Sequence, residues 1–169
     1  MSILIFILLF SVACERVKEV SVIPPPLLGS EPTADAPAVV VENISVANVA
    51  LESSSGEKIS VTVEIASTPE ERRKGLQGRE TLDDGYGMWF VFPEDVQDPF
   101  WMKDTPISLD IIFIDSNHAV ADFFENTIPN SETLLTPQKP YRTVLEVPAG
   151  FMKKHGLKVG DIATLRLGS

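Results

Sequence analysis

The chain has 169 residues, of which 44% are hydrophobic and 22% charged, a composition that excludes wholesale disorder. Fourteen Lys and Arg against 24 Asp and Glu leave a formal charge of −10, which argues against a nucleic-acid partner. The single cysteine excludes an internal disulfide and any cysteine-rich zinc site.

Ile3 to Ala13 is an apolar run whose only hydroxyl is Ser11. At about 1.5 Å per helical residue it is too short to cross ~30 Å of hydrocarbon, and it suits the apolar region of a secretory signal. Cys14 closes the run in Ser11-Val12-Ala13-Cys14, which resembles a bacterial lipoprotein signal. The resemblance implies that Cys14 is lipidated, becomes the new N-terminus and holds the chain to a membrane. A plain signal cut after Ala13 is the alternative, because Ser11 and Ala13 are small enough for that cleavage. Either reading places the folded part outside the cytoplasm, in the cell envelope. Residues 15–43 read as a tether, with Pro24, Pro25, Pro26, Pro32 and Pro37 among polar and small residues. Consecutive prolines favour extended polyproline II and remove backbone donors.

A single β-rich domain is expected over residues 44–169. Residues 46–52 lead into the turn signal Ser53-Ser54-Ser55-Gly56. Ile59, Val61, Val63 and Ile65 then alternate with polar residues, which predicts a half-buried strand and a hairpin. Thr68-Pro69-Glu70-Glu71 is a helix start, with Thr68 as cap, Pro69 at the first helical position and Glu71 closing a capping box. Gly75 ends that helix within two turns. Met88 to Phe92 and Phe100 to Met102 read as two further strands, ended by Pro93 and by Lys103-Asp104-Thr105-Pro106. Leu109 to Asp115 is apolar on both faces and predicts a central strand. Ser116-Asn117 turns into a strand over residues 119–124, and residues 126–140 read as a long loop. Tyr141 to Val147 alternates as a strand, a second short helix spans Ala149 to His155, and Ile162 to Leu167 closes the chain.

Seven or eight short strands with two short helices predict a mainly β domain, an antiparallel jelly-roll-like sandwich or barrel. A βαβ unit is not expected, because no helix of ten or more residues separates two strands.

Three segments carry a family resemblance. They are Thr68 to Leu76 with Arg79, Gly87-Met88 and Phe90 to Phe92; Phe100 to Ile107 with Leu109 to Asp115; and Leu145 to Gly150 with Gly156 to Asp161. Over roughly residues 47–167, in the same order, this pattern is similar to the bacterial and archaeal domain of unknown function family 192. The resemblance implies a β-rich, jelly-roll-like domain and carries no activity with it.

The chemistry-bearing residues narrow the choice of function. His118 and His155 are the only histidines and have no metal-ligand spacing, so neither a metal nor a cofactor is implied. No Gly-x-Ser-x-Gly elbow and no phosphate-cradling glycine loop occur. Asp110 interrupts an apolar strand on the face of Ile112 and Ile114, where a carboxylate needs a partner; Arg79, Arg72 and Lys103 are the available cations. The structural reading is an ion pair between helix and sheet, with Trp101 in the core. The functional reading is a ligand-binding cleft floored by Trp101, with Arg79, Lys103 and Asp110 as its polar groups. Such a cleft suits a small polar ligand, anionic or sugar-like, or a loop of an envelope protein. The expected function is therefore a non-enzymatic binding module, lipid-anchored through Cys14. The alternative is a hydrolase acting on a glycan, with Asp110 and Asp104 as acid and base.

Overall fold

Alternation of apolar and polar side chains drives the first half of the fold. The computed structural model describes residues 46–166; the signal with Cys14, and the tether, lie outside the described residues. Strands β1 (Val46–Glu52) and β2 (Lys58–Ala66) form the expected hairpin, with Val49 opposite Val61 and Ala47 opposite Val63, all four buried. Helix α1 (Pro69–Lys74) begins at the expected capping box. Glu71 Oε2 accepts from the Thr68 and Ser67 amides at 2.8 Å each, and these donors hold its carboxyl below the usual range. The other elements are β3 (Tyr86–Val96), β4 (Leu109–Ile114), β5 (Val120–Phe124), β6 (Tyr141–Pro148), α2 (Phe151–Lys154) and β7 (Ile162–Arg166).

The seven strands form one sheet in the order β5-β4-β6-β3-β2-β1-β7. The sheet curls into a half-barrel. At one end its edges approach: Ala119 bridges Ile162, and the Val120 amide donates to the Asp161 carbonyl at 2.8 Å. One buried cluster fills the concave face, from Val49, Val61, Trp89, Ile112, Leu145 and Val147 to Phe151 and Met152 of α2. A second lies on the other face, built on Leu76, Phe90, Met102, Ile111, Phe113 and Tyr141. Every residue of β4 is buried, which accounts for its nearly unbroken apolar sequence.

Mainly β character and two short helices agree with expectation, but the arrangement differs in four ways. A jelly-roll sandwich needs two packed sheets, whereas these strands lie in one. The sheet is mixed and not antiparallel throughout, because β2 and β3 run parallel, with Thr62 opposite Tyr86 and Ala66 opposite Phe90. The connection over residues 67–85 is therefore a βαβ crossover. Its length exceeds the dozen or so residues that a parallel return requires, so a helix of six residues suffices. Phe100 to Met102 is not a strand; only Phe100 bridges, to Leu135. Pro93 does not end β3 either, since it falls where the β3–β6 register shifts between Val91 and Val96 and no ladder donor is lost.

Gly87 is the tightest point of the sheet. A Cβ there would stand 2.5 Å from the Glu146 carbonyl oxygen, a backbone atom of β6 that cannot swing away. Gly87→Ala is expected to destabilise by about 1–3 kcal/mol through overpacking, read as a fall of several degrees in Tm.

Candidate functional site

Aromatic packing under the loop after β3 sets the position of one wall of a cleft. The Phe100 ring lies edge-on to Phe90 at 5.4 Å and to Phe113 at 5.5 Å, and Tyr141 packs on Phe113 at 4.9 Å. Such pairs add about 0.5–1.5 kcal/mol each beyond their buried area. The Tyr141 hydroxyl donates to the Asp98 carbonyl at 2.9 Å, and backbone pairs join Phe100 to Leu135 and Met102 to Ser131. With Phe100 and Met102 held inward, the intervening residues face out. Trp101 is 42% exposed, and Lys103 Nζ lies 5.4 Å from the centre of its ring. Lys103 also reaches Glu132 at 3.6 Å, both side chains being well exposed, so that pair adds little stability.

The opposing wall is α1. Arg72 secures it, donating to the Val91 carbonyl at 2.8 Å with its guanidinium 4.8 Å from the Phe92 ring centre. Gly75 turns the chain at φ 47°, where a Cβ would lie 3.4 Å from Phe90. The two walls are joined where the Gly78 amide donates to the Asp104 carbonyl at 2.8 Å. Between them runs a narrow cleft of about 40 Å³, bounded by Phe90, Phe100, Trp101, Lys103 and Glu146 with residues of α1. It adjoins a shallow depression of about 380 Å³, lined by Arg73, Lys74, Gln77, Trp101, Lys103 and Asp104 among others.

Glu146 is the chemically unusual member. On β6 it stands between Met88 of β3 and Ile111 of β4, only 5% exposed. Among the described residues nothing hydrogen-bonds or ion-pairs with its side chain. Burial pushes its carboxyl up to about 8, so at neutral pH the protonated form prevails.

The residues singled out from the sequence do not share one cleft. Trp101 and Lys103 lie together on its rim, and Trp101 is not in the core. Arg79 lies on the β2 side of α1, paired twice with Glu64 at 2.7 and 2.8 Å, beside a separate hollow of about 560 Å³. Asp110 is fully buried on the face expected, but its expected cationic partner is absent. Its Oδ1 accepts from the amides of Asn126 at 2.8 Å and Gly150 at 3.1 Å, and its Oδ2 from Met152 at 2.9 Å. Backbone donors from the loop after β5 and from the start of α2 do the work assigned to an arginine. Asp104 lines the depression, whereas Asp110 is fully buried on its three amides and lines neither the cleft nor the depression, so the two share no cleft as an acid–base pair. His155 is the residue that follows α2, and its Nδ1 lies 2.9 Å from Glu57 Oε1. Among the described residues no three His, Cys, Asp or Glu side chains gather as a metal site.

Sequence reasoning missed Glu146. Its strand alternates, so Glu146 falls opposite the Leu145 and Val147 face and reads as solvated. The one available signal was Val144, an apolar residue on the same face of the same strand.

Two variants separate the buried acids. Asp110→Ala strands three amides and is expected to destabilise by about 3 kcal/mol or more at neutral pH, measured by denaturant unfolding. Glu146 acts in the opposite sense. Its folded value lies above the unfolded 4.5, so its contribution is fully present below pH 4.5 and is lost as pH rises toward about 8. Glu146→Gln removes that loss, so its Tm gain over wild type should grow between pH 5 and pH 8 and then level off.

The comparisons extend these observations. The family model DUF192, described as Uncharacterized ACR, COG1430, matches residues 50–165. No curated protein matches. Among solved structures, a protein of unknown function from Novosphingobium aromaticivorans DSM 12444 is similar at 35% identity and a TM-score of 0.70. That match covers 80% of this chain and 99% of the other. A protein from Sinorhizobium meliloti 1021, described as a candidate transcription regulator, is similar at 34% identity and a TM-score of 0.70. It covers 72% of this chain and 95% of its own.

Proposed function

The chain belongs to the DUF192 family, whose description assigns no activity, and from that premise we propose that it is a non-enzymatic binding module for a small polar ligand. We place the site in the cleft between α1 and the Trp101–Lys103 loop, and its setting outside the cytoplasm, held to a membrane through Cys14. One observation carries this reading: an exposed aromatic and cationic rim stands over a buried carboxyl with no protein partner among the described residues. An exposed indole is a stacking surface, a lysine beside it orients charge, and a buried polar group below gives direction. Arg79 and Asp110, proposed from the sequence as further ligand groups, are both engaged within the protein and support the walls and the sheet instead. The description of the Sinorhizobium protein as a candidate transcription regulator finds no support in a chain with a formal charge of −10.

The purified full chain is to be screened by thermal shift against envelope glycans, nucleotides, phosphorylated metabolites, organic acids and lipid headgroups. A ligand at 100 times its Kd stabilises by about 2.7 kcal/mol, a shift of several degrees. Trp101→Ala and Lys103→Ala are expected to abolish the shift while keeping the wild-type unliganded Tm. If both variants instead unfold, the rim is structural and the binding site lies elsewhere.

A further inference from the structure

We propose that Glu146 is the ligand-recognising group of this cleft, donating its carboxyl proton to the oxygen of a small organic carboxylate whose body lies against Trp101. This rests on the binding reading above and goes further by naming the ligand class. Three features of the geometry point to it.

The first is the missing partner. A carboxyl flanked by apolar neighbours, which none of the described residues bonds and whose residue keeps 5% exposure on the cleft, has hydrogen-bonding capacity open to an occupant of that cleft. Asp110 in the same sheet contrasts with it, being fully buried and bonded by three backbone amides.

Size is the second. A space of about 40 Å³ is a few times the ~10–15 Å³ that one water requires, so it takes a small head group of a few atoms and is far smaller than the depression beside it. A ring or short chain must remain outside, in the depression of about 380 Å³ where Trp101 is exposed.

Charge is the third. The charged groups lining the cleft and the depression are Glu70, Arg72, Arg73 and Lys74 from α1 and Lys103 and Asp104 from the loop, with Glu132 paired to Lys103; the immediate neighbours Met88, Phe90 and Ile111 of Glu146 are apolar. In the narrow cleft itself the lining carries cations and no acid besides Glu146, which favours an anion over an ammonium group. An anion cannot share a small apolar floor with a second carboxylate, so Glu146 must keep its proton to receive one. With its carboxyl raised to about 8 by burial it does so at neutral pH. The exchange is balanced: the proton stays between Glu146 and the ligand oxygen, and no bond is made or broken.

The test is isothermal titration of the full chain with benzoate between pH 6.5 and pH 9, with benzylammonium and inorganic phosphate in parallel. Benzoate is expected to bind about tenfold more weakly at pH 9 than at pH 6.5, following loss of the Glu146 proton. Glu146→Gln keeps a neutral donor, so its benzoate affinity should be flat over the same range. Lys103→Met should weaken binding yet retain the wild-type slope, which keeps the test valid if the Gln variant fails to fold. Flat or rising benzoate affinity in the wild type overturns the proposal, as does a preference for benzylammonium or for phosphate. If a ligand from the thermal-shift screen binds at Trp101 while benzoate does not, this proposal fails and the binding reading stands. If no compound in either experiment binds, both fail.

Discussion

Strand β4 and residues 144–147 of β6 are buried on both faces, and that double burial constrains the rest of the domain. A polar group on such a strand has no water to fall back on and must find its partner within the protein or go without. Each strand carries one acid, and the antiparallel register sets them on neighbouring rungs, Asp110 opposite Val147 and Ile111 opposite Glu146. The two carboxyls therefore leave the sheet on opposite faces. Asp110 enters the concave side, where Gly150 at φ 85° begins α2 and turns its amides toward the carboxylate. A helix of four residues with no side-chain cap of its own is thereby pinned to the sheet. Glu146 enters the other side, where the surroundings are rings and aliphatic chains.

That second face is organised by aromatic contacts and not by a long helix. Phe100 touches Phe90, Phe92, Phe113 and Tyr141, which belong to β3, β4 and β6. A loop residue is thus anchored by three strands at once, and the segment after it has a fixed direction although it is not itself regular structure. The in–out alternation from Phe100 to Lys103 follows from this anchoring. It places Trp101 and Lys103 on the surface beside α1, whose own position is fixed by Arg72 on β3 and by the Gly78–Asp104 backbone bond. Both walls of the cleft are consequently tied to the sheet that carries Glu146, and a ligand would meet a preformed site.

What was legible in the sequence was mostly local. The Thr68-Pro69-Glu70-Glu71 start is visible because capping requires particular side chains at fixed offsets, and the β1–β2 hairpin is visible because burial of one face imposes a period of two. The parallel β2–β3 pairing was hidden, since nothing in either strand records direction and a six-residue helix does not resemble a typical crossover. The partners of Asp110 were hidden for a different reason. Side-chain cations can be read from a sequence, whereas amides of Asn126, Gly150 and Met152 become donors only through the fold. Trp101 and Lys103 could be picked out as a pair by proximity in the chain, but the acid beneath them could not. Whether the Glu146 face of β6 meets water depends on which elements cover it, and these come from residues 72–77 and 100–105.

The contrast between the two acids bears on function as well as on folding. A buried carboxyl without hydrogen bonds lowers stability by an amount set by its displaced titration, on the order of a few kcal/mol at neutral pH. Gln at position 146 would remove that loss at the same size, so packing does not call for an acid there. Nor does architecture, because Glu146 pins no element in the way that Asp110 pins α2. On the proposed reading, a group that weakens the folded state and pins none of the described elements is accounted for by an interaction made only when the cleft is filled. Supplying a hydrogen-bond partner to Glu146 would then recover part of the lost stability, and that recovery is itself binding energy concentrated at one buried point beneath the Trp101 surface.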